Sequence, residues 1–203
     1  VATLRKVISG GQTGVDRAAL AAARAEGLSI GGWCPPGRAS EAGPIPPDLP
    51  LTETPAERSA DAPDVPRLQR TEWNVSDADA TLVLSPAAGS SGSPGSLTAG
   101  PDDPGTAWAV RCAERYGRPL LVVSPDAPSG VRKIVRWLAD QEIATLNVAG
   151  PSEGTCPGSG ERAFALLSAV FEDAAPTGNR PLRGERNSDG GGGCHELYVR
   201  RLR

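Results

Sequence analysis

The chain has a single histidine, His195, placed in a Gly- and Arg-rich end segment away from everything else of chemical interest. A Ser–His or Cys–His mechanism therefore has no general base in the main body of the sequence. Acidic pairs exist, Asp77 with Asp79 and Glu153 with Glu161, but helix capping and solvation explain them equally well. The four cysteines, Cys34, Cys112, Cys156 and Cys194, form no C-x-x-C pair. That excludes zinc-site spacing and a small disulfide scaffold, and leaves free thiols in a reducing cytoplasm as the expectation. No apolar run approaches the roughly 18 residues of a membrane span, and residues 1–8 read as a short strand rather than a leader. Blocks of like charge are missing apart from Arg200, Arg201 and Arg203, and the net charge is −3. The same charge balance argues against a nucleic-acid surface, which needs a dense basic field. Hydrophobic residues make up only 38% of the chain, because 25 Gly and 20 Pro dilute them.

Those glycines and prolines concentrate in connecting stretches, so the strand and helix runs between them are ordinary. Leu4–Ile8, Leu28–Ile30, Ala80–Leu84, Pro119–Ser124 and Ala144–Val148 read as strands. Asp16–Glu26, Thr71–Asp77, Thr106–Tyr116, Ser129–Glu142 and Gly160–Glu172 read as helices. Strand–helix alternation of this kind specifies a doubly wound, mostly parallel sheet in a three-layer α/β/α, Rossmann-like domain. The domain is expected over residues 1–175. A tail over 176–203, with almost no apolar residue before its last nine, reads as disordered. The Pro-rich passage from Gly31 to Arg70 is too long for a mere connection and is expected to wrap the surface and cover a site.

Two glycine-rich turns join strand to helix: Ser9-Gly10-Gly11-Gln12-Thr13-Gly14-Val15-Asp16-Arg17, and a second ending at Gly105-Thr106. Glycine lets the backbone approach a ligand, and a helix beginning there presents unpaired N–H groups to an anion. Two such turns on one sheet form a cradle suited to a phosphate, although the glycines can also serve turn geometry alone. No Walker A spacing occurs, and Gly10, Gly11 and Gly14 do not have dinucleotide-fingerprint spacing. Other polar groups fall at the same sheet edge: Gln12, Thr13, Asp16, Arg17, Trp33, Cys34, Arg38, Arg70, Asn74, Gly150 and Pro151. Arg17, Arg38 and Arg70 suit bidentate contact with an anion, or equally a solvated surface, and Trp33 suits stacking on a flat ring or core packing. Aspartate at Gly11 or Gly105 would accordingly block the anion site while leaving the fold intact.

As an ordered set, Ile8–Ala18, Gly31-Gly32-Trp33-Cys34-Pro35, Gly43–Pro46, Leu51–Thr54, Arg70–Val75, Ser85-Pro86, Gly105-Thr106 and Asn147–Pro151 resemble the molybdenum cofactor carrier proteins. That family is similar to the Rossmann-like group containing the cytokinin-activating phosphoribohydrolases. The resemblance covers residues 4–172. It implies a homo-oligomer that binds molybdenum cofactor, a phosphorylated pterin with a dithiolene-held metal, for delivery to apo-molybdoenzymes. It also adds Ser85 to the candidate ligand contacts. Pro36 stands where a lysine is expected in W-C-P-K-G, and the stretches 57–69 and 87–104 look longer than usual. Ala109 stands where the phosphohydrolase relatives carry a glutamate, so N-glycosidic hydrolysis loses its acid. The expectation is a non-catalytic carrier; the alternatives are a nucleotide or phosphoribosyl hydrolase and a nucleotide-sensing module.

Overall fold

The computed structural model describes residues 4–86 and 103–174. The tail expected over 176–203 and most of the 87–104 insertion lie outside the described residues. In chain order the elements are β1 (Lys6–Ile8), α1 (Val15–Ala25), β2 (Ser29–Gly31), β3 (Trp33–Cys34), β4 (Thr52–Glu53), α2 (Leu68–Asp77) and β5 (Ala80–Leu84). They continue with α3 (Pro104–Arg115), β6 (Leu120–Val123), α4 (Gly130–Asp140), β7 (Thr145–Ala149) and α5 (Ser159–Ala174).

Five strands form one sheet in the order β2-β1-β7-β5-β6, every pairing parallel. The two-residue period of a strand divides β5 between two cores. Ala80, Leu82 and Leu84 join a cluster with α1, α4 and α5, whereas Val83 joins Val75 of α2 and Ala109 and Val110 of α3 on the other face. The expected three-layer α/β/α arrangement follows. On the α1 side, Ala18, Ala19, Ala22 and Ala23 are all buried. Alanine favours the helix, and its short side chain lets α1 lie directly against α5.

The last strand, β7, inserts between β1 and β5, so its end and the end of β1 are neighbours. Ligand clefts in parallel sheets form beyond such carboxyl ends, where successive crossovers diverge. A second, two-stranded parallel sheet pairs Trp33 with Thr52 and Cys34 with Glu53. Strands of two residues carry no readable period, so this sheet is invisible in sequence. It ties the Pro-rich passage to the domain and closes a small core of Leu20, Cys34, Ile45 and Leu51.

Two helices start two or three residues earlier than the sequence pattern predicts. Helix α2 begins at Leu68 rather than Thr71. Helix α3 begins at Pro104 rather than Thr106, with Asp103 as its cap accepting from the Gly105 amide. Proline suits the first helical position because its missing N–H would have had no partner there. Gly105 thus lies inside the first turn of a helix and does not precede it.

Candidate functional site

A cleft of about 330 Å³ opens over the carboxyl edge of the sheet. Gln12 and Asp16 reach it from the β1–α1 turn, Arg67, Arg70 and Thr71 from the start of α2, and Asp103 and Gly105 from the start of α3. The segment after β7 closes a further wall with Gly150, Ser152 and Thr155, and Glu41 comes from the Pro-rich passage. Glu41, Val65 and Pro66 bring that passage to the cleft wall.

Arg70 is the centre of the polar constellation. Its Nη1 lies 3.0 Å from Asp16 Oδ2, and its side chain is only 14% exposed. Gly10 makes this possible: a Cβ there would sit 2.1 Å from Arg70 Nη1 and 2.8 Å from its Cδ. Asp16 is buried in the first turn of α1 and also accepts from the Gln12 amide at 3.3 Å. Burial pushes its carboxyl above the ordinary aspartate value, with Arg70 and the Gln12 amide pulling the other way. Arg70 Nε is buried without a hydrogen-bond partner among the described residues, and so is the Thr71 hydroxyl. Buried polar groups are normally paired. Two unpaired ones on adjacent residues lining a cleft point to a ligand.

Arg67 holds the second guanidinium. Its backbone is left-handed, φ 62°, an uncommon conformation for a residue with a Cβ. The guanidinium donates to Gln12 Oε1 at 3.3 Å and stands 4.0 Å from Glu41. Sequence reading passed over Arg67 because nothing in a run of prolines and charges signals a positive φ. Asp103 and Glu41 lie outside any helix or strand period, so no local pattern marks them.

Of the residues expected at a ligand, Gln12, Asp16, Arg70, Gly105 and Gly150 line the cleft, and the others support it or lie elsewhere. Arg17 braces the first turn, donating to Gly11 O at 3.1 Å and Ser40 Oγ at 3.0 Å. Thr13 donates to Glu41 and accepts from the Glu153 amide at 3.2 Å, joining two walls. Gly14 lets the start of α1 abut the turn after β7, since a Cβ there would lie 2.5 Å from Pro151 O. Pro151 O in turn accepts from the Val15 amide at 3.2 Å. Gly11 faces apolar side chains, with a Cβ position 2.5 Å from Leu51 Cδ1. Of the two uses open to these glycines, the structure favours turn geometry and packing at Gly10, Gly11 and Gly14.

Trp33 stacks edge-on against Trp73 and donates its Nε1 to Asp77 at 2.7 Å, so its ring is engaged away from the cleft. Asn74 brackets the Trp33 backbone, accepting from its amide at 2.8 Å and donating to its carbonyl at 3.0 Å. Cys34 is fully buried, and burial raises its thiol pKa. Ser85 is buried at the end of β5, where its amide donates to Val123 O at 3.0 Å. Thr106 is buried too and donates to Asp103. The three described cysteines are free thiols, as expected, and burial pushes Cys112 up to about 12.

Arg38 does not meet an anion in this arrangement. Its guanidinium donates to the carbonyls of Ile45, Pro46, Leu49 and Leu51 at 2.8–3.1 Å. A planar fork with five donors can bind a loop in this way, and an ammonium cannot match it. Arg38→Lys is expected to lower stability by about 2 kcal/mol, read from the denaturant midpoint, with ligand affinity almost unchanged. An unchanged midpoint would show that the loop does not depend on the fork.

The fold and cleft define a Rossmann-like ligand-binding domain. The family model for the circularly permutated YpsA SLOG family matches residues 7–171, and the chain belongs to that family. It is also similar to the crystal structure of a "Putative molybdenum carrier protein" from Syntrophus aciditrophicus SB. The two share 33% sequence identity and a TM-score of 0.68, over 83% of this chain and 95% of that one. The resemblance read from the motifs is thereby borne out. Among curated proteins, none matches the chain in sequence. No helix among the described residues is long and apolar enough to cross a membrane.

Proposed function

We propose that the chain is a non-catalytic carrier that binds molybdenum cofactor in this cleft and passes it to apo-molybdoenzymes. The observation that carries the reading is the pair of unpartnered buried groups, Arg70 Nε and the Thr71 hydroxyl, beside the first turn of α3. Together with the guanidinium of Arg67, they offer donors to a phosphate. Val65, Pro66, Leu68 and Ala149 supply apolar wall for a flat ring. The volume is within the range of small-ligand sites, roughly 300–1,000 Å³.

The residues suit a ligand that brings its own metal coordination. No group of three or more His, Cys, Asp or Glu side chains among the described residues is placed to hold a metal ion. The dithiolene of the pterin would hold the metal, and the chain would bind the phosphate, orient the ring and limit solvent access. Ala109 supports a carrier over a hydrolase: it is fully buried against Val75 and Val83 in the α2–α3 core. Storage and delivery would take place in the cytoplasm, with the protein as a homo-oligomer.

The test is what co-purifies from a host that makes the cofactor. Molybdenum by elemental analysis and pterin fluorescence after oxidation are expected together, in a constant ratio across preparations. Recovery of a nucleotide without pterin would replace this reading with a nucleotide-binding one. Release of free base from nucleoside monophosphates by the pure protein would make it an enzyme.

A further inference from the structure

Asp103 occupies the donors that an anionic ligand would use. One of its carboxylate oxygens accepts from the Gly105 amide at 3.2 Å, and the other accepts from the Thr106 hydroxyl. The Gly105 amide is a backbone donor of the first turn of α3, the end of a helix that favours negative charge. Arg70 faces the same point: a Cβ on Gly105 would lie 3.4 Å from Asp103 Oδ1 and 3.7 Å from Arg70 Nη2. Yet the ion pair of Arg70 among the described residues is with Asp16, and its Nε stays unpartnered. Thr71, only 3% exposed, adds a second unpartnered group lining the same cleft. Among the described residues, the Asp103 carboxylate is the acceptor that takes the Gly105 amide and the Thr106 hydroxyl, with Arg70 and Thr71 lining the same cleft.

We propose that Asp103 is an internal competitor for this cleft, a carboxylate that an incoming phosphate must displace from the Gly105 amide and the Thr106 hydroxyl. The proposal rests on the cofactor-binding reading above and assigns Asp103 the role of setting affinity for the phosphate end. It contributes no contact to the pterin. As a cap it also holds the first turn of α3 in place, which preserves the donors for the ligand.

The test compares Asp103→Asn with the parent protein. Asparagine keeps the cap and removes the charge. The probes are the oxidised, phosphorylated pterin derived from molybdenum cofactor and the same pterin after phosphatase treatment, both titrated by fluorescence. Asp103→Asn is expected to bind the phosphorylated pterin at least about ten-fold more tightly, because it removes a like charge from the site. Affinity for the dephosphorylated pterin should stay within about two-fold, since no charge is displaced. Asp140→Asn, an equal charge change at an exposed position of α4, should leave both affinities at the parent value. If the parent binds the phosphorylated pterin and Asp103→Asn binds it no better, Asp103 is a helix cap only. An equal gain with Asp140→Asn would assign the effect to net charge and overturn the competitor role. If neither protein binds either pterin, the cofactor reading itself falls, and this proposal with it.

Discussion

Arg70→Met is expected to be the most damaging single change at the cleft, costing roughly 3–5 kcal/mol at neutral pH. Arg70 is the ion-pair partner of a buried carboxylate, and its removal leaves Asp16 charged and uncompensated in a dry position. The cost should depend on pH in a defined direction. Burial already places the Asp16 pKa above its ordinary value despite the arginine, and losing Arg70 raises it further. A raised carboxyl pKa gives stability that is fully present below the unfolded-state value and is lost as pH rises through the folded-state value. The variant should therefore be closest to the parent near pH 4 and fall behind as the pH climbs toward neutrality. Denaturant midpoints across that range would check this, and a deficit independent of pH would show that Asp16 is not the group left exposed to the loss. Binding of a phosphorylated ligand should be lost at every pH where the variant is folded.

The second large effect separates two glycines that look equivalent in sequence. Gly11→Asp is expected to destabilise the fold by about 4 kcal/mol or more. Gly11 has φ 73°, a conformation that a side chain opposes, and its Cβ position lies 2.5 Å from Leu51 Cδ1 and 3.2 Å from Ile45 Cδ1. A carboxylate there would enter an apolar cluster that also contains Leu20 and Cys34. This reverses the sequence-based expectation that the substitution spares folding. Gly105→Asp should behave as that expectation says. The first turn of α3 tolerates an acidic residue, and among the described residues beyond its chain neighbours and its own helix backbone the nearest atom to the new Cβ is Asp103 Oδ1 at 3.4 Å. The new carboxylate would reach Arg70 and take the place of the ligand's anion. Circular dichroism melting should show Gly11→Asp largely unfolded at 37 °C and Gly105→Asp within a few degrees of the parent, with pterin binding abolished. A folded Gly11→Asp that fails only in binding would return that glycine to the ligand site.

Local pattern carried much of the architecture. The apolar runs at Val7–Ile8, Ala80–Leu84 and Leu120–Val123 and the alanine face of α1 are signals within a few residues of each other. They imply the parallel α/β/α domain without reference to any contact, because burial on both faces of a strand demands a continuous apolar run. The motif order likewise sufficed for the family. Chain charge, cysteine spacing and the lone His195 argue against whole classes of function on the sequence alone.

Tertiary structure decided which polar residues share a cleft. Arg17, Arg38 and Arg70 look alike as a set of cations at one sheet edge, yet two of them satisfy loop carbonyls and a hydroxyl, and only Arg70 faces the cleft. The difference arises from partners 6 to 54 residues away in the chain, such as Ser40 for Arg17, Leu51 for Arg38 and Asp16 for Arg70. Local sequence cannot encode such distances. The glycines divide in the same way. Steric neighbours at Gly10, Gly11 and Gly14 come from α2, the Pro-rich passage and the turn after β7, so their role as packing positions is fixed only when those segments meet. The insertion of β7 between β1 and β5 brings that turn to the start of α1. A pairing between strands about 140 residues apart along the chain is decided by the packed core as a whole and by no single segment.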